Sequence, residues 1–281
     1  HRSKPLLPDA VPLRFPLIAW PLPHRAPGTS GPRRRVWFSP REPDSICAMR
    51  AKGDRLAKER QRTPCPAPPV YTPAERLVDG ILHLTGVAAA LVAVPVLVTL
   101  AAVRHGDLPT VTAASVYGLS LVAMFSASAG YHLVTVPRWK EILRRLDHAA
   151  IYVKIAGTYT PFAVLLGGED APSILVGIWA AALVGLSLKV LAPRRFEWLT
   201  LGLYLAMGWA VVVIGEPIVA GISTPSLVLV LVGAVLYTLG VVFHLWDRLP
   251  FQNAIWHGHV LAASFVFYAA ILIEVATGAP G

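Results

Sequence analysis

The sequence predicts an all-α membrane protein, a bundle of seven transmembrane helices with a cytosolic N-terminus and an outside C-terminus. The chain has 281 residues, of which 55% are hydrophobic and 15% are charged, and its mean hydropathy is +0.57. These values lie outside the usual range for a soluble domain of this size. Apolar runs without alternation recur along the chain, and each is close to the ~20 residues that a helix needs to cross a hydrocarbon layer. The loops between the runs alternate between basic and acidic, which is the pattern of a membrane topology.

The chain divides into two regions by composition. Residues 1–70 are rich in proline and arginine and show no helical or strand period, so this segment is predicted to be disordered. Residues 71–281 form the predicted transmembrane domain. Although the formal net charge is +9, 15 of the 25 basic residues precede residue 77 and most of the others lie in short loops. The distribution of the positive charge is therefore explained by the orientation of the protein in the membrane, and no nucleic-acid partner is predicted.

The apolar runs predict seven spans. They cover residues 78–103, 111–134, 147–167, 172–191, 198–216, 225–246 and 254–276. Basic residues follow spans two, four and six (Arg138, Lys140, Arg144, Arg145, Lys189, Arg194, Arg195 and Arg248). The opposite loops carry Arg104 beside Asp107, then Glu169 and Asp170, then Glu216. The excess of basic residues on one side indicates that this side is cytosolic.

Polar residues of distant segments fall at one predicted depth, near the cytosolic ends of the spans. His132 ends span two, Asp147 begins span three, and Asn253 and His257 begin span seven. Residues four apart share a helix face, so Ser128 lies on the face of His132, and Asn253 on that of His257. Imidazoles and a carboxylate converging inside a membrane bundle favour a zinc site. In that interpretation Ser128 orients a ligand or a bound water.

The other polar residues have simpler interpretations. His83, His148, His244 and His259 lie at the same depth and are interpreted as interfacial anchors or hydrogen-bond partners. Lys154 follows Asp147 by two helical turns on one face, and it is interpreted as a charge partner of Asp147, Glu216 or a lipid headgroup. A Schiff-base lysine is the alternative for Lys154, and it is disfavoured because this lysine lies in span three.

Four segments together carry a resemblance to a known family. They are "YGLSLVAMFSASAGYH", "RRLDHAAIYVKIAGTYTPF", "LYLAMGW" and "LYTLGVVFHLWDRLPFQNAIWHGHVLAASFVFYAAIL". In this order they resemble the bacterial hemolysin III proteins, relatives of the progestin and adiponectin receptors, over about residues 71–277.

The resemblance implies seven helices and a zinc ion near the cytosolic face. In the family, one histidine comes from an SxxxH pattern in the second helix and two from an HxxxH pattern in the seventh, while an aspartate of the third helix holds a bound water. The corresponding residues here are Ser128, His132, Asp147 and His257, and the first HxxxH position is Asn253. An amide oxygen is a weaker zinc ligand than an imidazole, so Asn253 is expected to coordinate weakly or to hold the water, or Asp147 takes the vacant ligand position.

The family's first helix usually carries an acid, an asparagine and a threonine-histidine pair. This chain has Glu75, Asp79, Leu82 and His83 there, so Glu75, Asp79 and His83 are second-tier site candidates, together with Lys154.

The wider relatives include alkaline ceramidases, and the resemblance therefore implies an intramembrane zinc hydrolase of a lipid amide. In this hypothesis His132 and His257 bind the metal, Asp147 is the base for the zinc-bound water, and Ser128 helps to hold that water. The partner is a membrane lipid of unidentified class, and the location is the bacterial inner membrane. The alternative is a non-enzymatic sensor of lipid or fluidity, or a pore; the apolar outer halves of the spans disfavour the pore.

Overall fold

The described part of the chain is a set of helices joined by short loops. The computed structural model describes residues 72–191, 196–214, 216–246 and 248–278, so the predicted disordered segment 1–70 lies outside the described residues. In these ranges there are eight α-helices and one 3₁₀ turn, and no strand: α1 Pro73–Arg104, α2 Leu108–Leu133, α3 Pro137–Leu166, the 3₁₀ turn Gly168–Asp170, α4 Ala171–Leu191, α5 Glu197–Ile214, α6 Glu216–Gly221, α7 Thr224–Leu245 and α8 Gln252–Thr277.

The all-helical prediction is confirmed for the described residues. Six of their helices are long and apolar enough to cross a membrane, namely α1, α2, α3, α4 (with the preceding 3₁₀ turn), α7 and α8. The remaining predicted span, 198–216, corresponds to the shorter apolar helix α5, after which the chain continues into the six-residue helix α6.

Two helix starts show why the elements begin where they do. Thr72 caps α1: its hydroxyl accepts the N–H of Glu75, and the Glu75 carboxylate accepts the N–H of Thr72, with Pro73 in the first turn. Asp107 caps α2 by accepting the N–H of Thr110 at 2.8 Å, and this hydrogen bond lowers the pKa of the Asp107 carboxyl.

Helix α3 begins ten residues before the predicted span, at Pro137. Arg144 and Arg145 both pair with Glu141 at helical spacing, with N–O distances of 2.8 and 3.1 Å, and these pairs favour helix in the charged stretch. Hydropathy detects only the part of a helix that is apolar, so the amphipathic first turns were missed. Asp147, predicted as the first residue of span three, therefore lies ten residues after the start of α3.

The core centres on α3, which packs against α2, α4, α5, α6 and α8. A Cβ atom added to Gly157 would lie 2.3 Å from Ser120 Oγ, so glycine is required where α3 meets α2. Tyr152 and Tyr159 donate their hydroxyls to the carbonyls of Thr200 and Met207 at 2.7 and 2.9 Å, and these bonds tie α3 to α5. The bundle thus holds α3 on several sides.

The two ends of the bundle are fixed by different contacts. We call the end where α1 begins the proximal end and the end where α1 finishes the distal end. At the distal end the buried Glu274 carboxylate of α8 accepts the N–H and the hydroxyl of Ser223, the residue that precedes α7, at 3.1 and 2.6 Å. His105 bonds the Val275 carbonyl at 2.9 Å. Helices α1, α7 and α8 are therefore held in register at this end.

Candidate metal centre

Four side chains from three helices meet near the proximal end. Asp79 and His83 lie one turn apart on one face of α1, His132 is in the last turn of α2, and His257 is in the second turn of α8. Helices α2 and α8 both pack against α1. The face of α1 that carries Asp79 and His83 therefore meets His132 of α2 and His257 of α8.

The Asp79 carboxylate is the centre of this group. Asp79 Oδ1 lies 2.6 Å from His257 Nδ1, and Asp79 Oδ2 lies 3.1 Å from His132 Nδ1 and 3.6 Å from His83 Nε2. One potential ligand atom from each of the four residues lies within 4.8 Å of the other three. The three imidazole centroids are 4.3 to 4.6 Å apart. We call Asp79, His83, His132 and His257 the four-residue centre.

The donor chemistry of the four-residue centre fits a metal ion. His83 is 3% exposed, and its Nε2 has no hydrogen-bond partner among the described residues. A buried ring nitrogen without a partner is costly, and three crowded imidazoles with one carboxylate can all be satisfied by a shared cation. Imidazole nitrogens and carboxylate oxygens are donors that zinc accepts, and three of the four would suffice for a catalytic site, whose remaining position is taken by water.

The structure distributes the residues predicted from the sequence over two neighbouring groups. His132 and His257, predicted as ligands, are both in the four-residue centre, as are the second-tier candidates Asp79 and His83. Asp147 is outside that group, and it lines one cavity together with Ser128, His132 and His83. Asn253 lines the same cavity as these residues.

The four-residue centre opens onto a cavity of about 680 Å³ inside the bundle. His83, His132 and His257 line its proximal part, together with Ser128, Asp147 and Asn253. Further along α3 the lining is mainly apolar and includes Ile155, Phe162, Ile218 and Val230. Polar groups at one end and an apolar remainder are the features of a site for an amphiphilic molecule.

The remaining predicted residues have separate surroundings. His259 bonds the Ile255 carbonyl at 2.8 Å, the His244 ring is tilted against the Trp256 ring at a centroid distance of 5.1 Å, and His148 lines the cavity. Lys154 Nζ lies 5.1 and 4.9 Å from the ring centroids of Tyr237 and Phe267. The predicted pair of Lys154 with Asp147 is not among the ion pairs of the described residues, and the Glu216 side chain lies outside them.

Glu75 connects the starts of the first and last helices. Its Oε1 accepts the N–H of Phe251 at 2.9 Å, while its Oε2 accepts the N–H of Thr72 at 2.6 Å. Phe251 precedes α8 with φ of 58°, a left-handed conformation that is strained for a bulky residue. The Glu75 carboxylate therefore stabilises the turn from which α8 carries His257 towards Asp79.

We expect Glu75→Ala to weaken metal binding about tenfold without removing any ligand, because the turn before α8 loses the acceptor of the Phe251 N–H. The measurement is a competition titration of zinc against a chelator with the purified protein. The matched control is Glu169→Ala, which removes an exposed carboxylate at the distal end. Equal zinc affinity of Glu75→Ala and the unchanged protein would contradict a positioning role for Glu75.

One sequence pattern could have identified Asp79 and His83, which the sequence analysis treated as second-tier candidates. Asp79 and His83 in "DGILH" have the same i, i+4 spacing that was used for Ser128 and His132. A carboxylate and an imidazole on one face of a membrane helix, at the depth of the other histidines, indicate a polar interior contact. The spacing alone does not identify which helix that face meets.

Comparison with known proteins agrees with this architecture. The model of the family described as "Haemolysin-III related" matches residues 71–271. A "Hemolysin-3 homolog" of Bacillus subtilis (strain 168) is 35% identical over 206 residues, which are 72% of this chain and 95% of that protein. The "Hemolysin-3" of Bacillus cereus is 35% identical over 204 residues, 72% of this chain and 92% of that protein. The "Monocyte to macrophage differentiation factor" of Homo sapiens is 32% identical over 166 residues, 56% of this chain and 67% of that protein.

Proposed function

Because this chain belongs to the haemolysin-III related family, we propose that it is a multi-pass membrane protein that binds zinc at the four-residue centre and hydrolyses a membrane lipid amide. The observation that carries the proposal is the cluster of three imidazoles and one carboxylate at the polar end of a largely apolar cavity. A lipid whose amide lies at headgroup depth matches this arrangement, since its chain has an apolar space to occupy.

The proposed topology has seven membrane crossings, a cytosolic N-terminus and a location in the plasma membrane. The shorter helix α5 is counted as the seventh crossing, in addition to the six longer apolar helices. Consecutive crossings then run in opposite directions through the membrane. The proximal end carries Arg138, Lys140 and Lys189, and the distal end carries Glu169 and Asp170. The excess of basic residues supports a cytosolic proximal end.

In the proposed reaction the four-residue centre would hold a zinc ion, which would supply a Lewis acid to polarise a carbonyl and make water more acidic. Asp147 accepts a proton from the attacking water, and Ser128, which lines the same cavity, holds the Asp147 carboxylate in place. A C–O bond forms at the amide carbon, the C–N bond breaks, and the proton passes to the departing amine. The products are a carboxylate and an ammonium ion, and the nitrogen of the latter has taken up both protons of the water.

The test begins with the metal content of the full-length protein purified in a neutral detergent. We expect about one zinc per chain by elemental analysis, and cleavage of at least one member of a panel of long-chain N-acyl lipids, followed by the release of the free acid. The control is the same protein after chelation, which should lose cleavage and regain it with added zinc. Zinc binding without cleavage of any lipid would support a non-enzymatic sensor instead, and absence of zinc binding would contradict both roles.

A further inference from the structure

The first turns of α3 carry an outward surface that the metal centre does not use. At about 100° per residue, five side chains fall within an arc of about 120° on this part of the helix: Arg138, Trp139, Ile142, Arg145 and Leu146. Arg145 is partly buried and the other four are exposed. None of the five lines the internal cavity. We call these five residues the α3 outer face.

The Arg145 guanidinium is fixed in position without being saturated. Its Nε–H donates to the Glu141 carboxylate and its Nη1–H donates to the carbonyl of Val190, in the last turn of α4, both at 3.1 Å. Among the described residues, these bonds use two of the five N–H groups of the guanidinium. The side chain is 40% exposed, so the other N–H groups remain for an acceptor outside the bundle. Because the side chain is already held, such an acceptor costs little conformational entropy.

Positive charge exceeds negative charge around Arg145. Glu141 is shared by two guanidinium groups, those of Arg144 and Arg145, at N–O distances of 2.8 and 3.1 Å. Arg138 adds another positive charge at the start of the helix, and its guanidinium carbon lies 5.2 Å from the centroid of the Trp139 ring. The α3 outer face therefore presents a positive field to an anionic partner.

An apolar stripe runs beside the two arginines. Trp139, Ile142 and Leu146 are 46 to 49% exposed, and spacings of three and four residues place them on one side of the helix. A tryptophan beside basic residues at the end of a membrane helix lies at the depth of the lipid headgroups. In the proposed topology this end meets the cytosolic leaflet, which carries the anionic lipids of a membrane. The surface therefore offers cations at headgroup depth and an apolar track that leads into the bilayer.

We propose that the α3 outer face binds an anionic phospholipid of the cytosolic leaflet, with its phosphate on Arg145 and one acyl chain along Ile142 and Leu146. A planar guanidinium can pair with two phosphate oxygens at once, which gives stronger and more directional bonds than an ammonium does. Arg138 and Trp139 would hold the headgroup from the cytosolic side. The lipid lies outside the bundle, where Arg145 joins α3 to α4, so it is distinct from the substrate of the proposed reaction and does not depend on it.

The test titrates the full-length protein in a neutral detergent with dioleoyl phosphatidylglycerol and with dioleoyl phosphatidylcholine, and it counts bound lipids by native mass spectrometry. The two probes have the same chains and differ in net charge. We expect the unchanged protein to bind the phosphatidylglycerol at least about fivefold more tightly. In Arg145→Gln this preference should fall to about one, and Arg145→Lys should retain part of it, because an ammonium keeps the charge and loses the two-point geometry.

The matched control is Arg104→Gln, which removes an exposed arginine at the distal end and should keep the full preference. Melting temperature without added lipid establishes that each variant is folded, and zinc content and amide cleavage should be unchanged in Arg145→Gln. If Arg145→Gln does not fold, Arg138→Gln decides, since it leaves the bond to Val190 in place and should lower the preference about twofold.

Three results would overturn the proposal. The first is equal affinity of the unchanged protein for the two lipids. The second is a full preference in the folded variant of Arg145, or of Arg138 where that variant decides. The third is inorganic phosphate that binds as tightly as the phosphatidylglycerol, because the apolar stripe would then contribute nothing.

Discussion

Asp79→Asn is expected to lower the zinc affinity of the purified protein by more than about 100-fold. Loss of a residue that only supports a ligand costs at most about 100-fold, and the loss of a ligand itself should cost more. The Asp79 carboxylate contacts all three histidines of the four-residue centre, at 2.6, 3.1 and 3.6 Å. It is also the only carboxylate of that centre, so its replacement leaves a bound cation without a negative ligand. The measurement is a zinc competition titration at fixed pH, supported by elemental analysis.

A second substitution distinguishes loss of a donor from general damage. The resembled family pattern has asparagine where this chain has Asp79, and histidine where this chain has Asn253, so the two positions differ from the pattern in opposite directions. Asn253 lines the cavity one turn before His257 on α8. We therefore expect the double variant Asp79→Asn with Asn253→His to regain most of the lost affinity, because an imidazole replaces the missing carboxylate as donor.

The matched control for this prediction is His259→Ala, which removes an imidazole two residues from His257. His259 bonds a backbone carbonyl and is outside the four-residue centre, so zinc affinity should remain within about twofold of the unchanged protein. His257→Ala should lose affinity as Asp79→Asn does. An Asp79→Asn protein with unchanged zinc affinity would show that the carboxylate is not a ligand.

The common depth of the polar residues could be predicted because depth depends only on position along each span. His132 and His257 were assigned to one layer from helix direction alone, and the structure brings them into one cluster. Helical spacing placed Ser128 on the face of His132, and both residues line one cavity with Asp147. Rules that use period and hydropathy are sufficient for this part of the site.

The rotation of each helix about its own axis could not be predicted in the same way. Asp79 and His83 were interpreted as secondary because the sequence does not state which neighbour their face of α1 meets. That face is set by close contacts between helices: Gly86 of α1, for example, leaves room for the Phe125 ring of α2, 2.8 Å from where a Cβ would lie. Such fits depend on side chains that are distant in sequence, as in the packing of any helix interface.

The final prediction concerns Asp147, which lies beside the four-residue centre and is not part of it. If it accepts the proton of the attacking water, Asp147→Asn should reduce the rate of lipid-amide cleavage by 10²–10⁴-fold, the range typical of a general base. Because the four donors of the centre are unchanged, the zinc content should stay at about one per chain. The rate of free acid release and the metal content are therefore measured on the same preparation.

Ser128→Ala provides the graded comparison, since it removes a hydroxyl that supports the carboxylate and leaves the base itself. A reduction of about tenfold is expected from the loss of one hydrogen bond to a charged group. Asp147→Asn acts on proton transfer and Asp79→Asn on metal binding, so the first should not be rescued by excess zinc and the second should be rescued in part. If Asp147→Asn loses the metal as well, Asp147 acts as a ligand and the base must be sought elsewhere in the cavity.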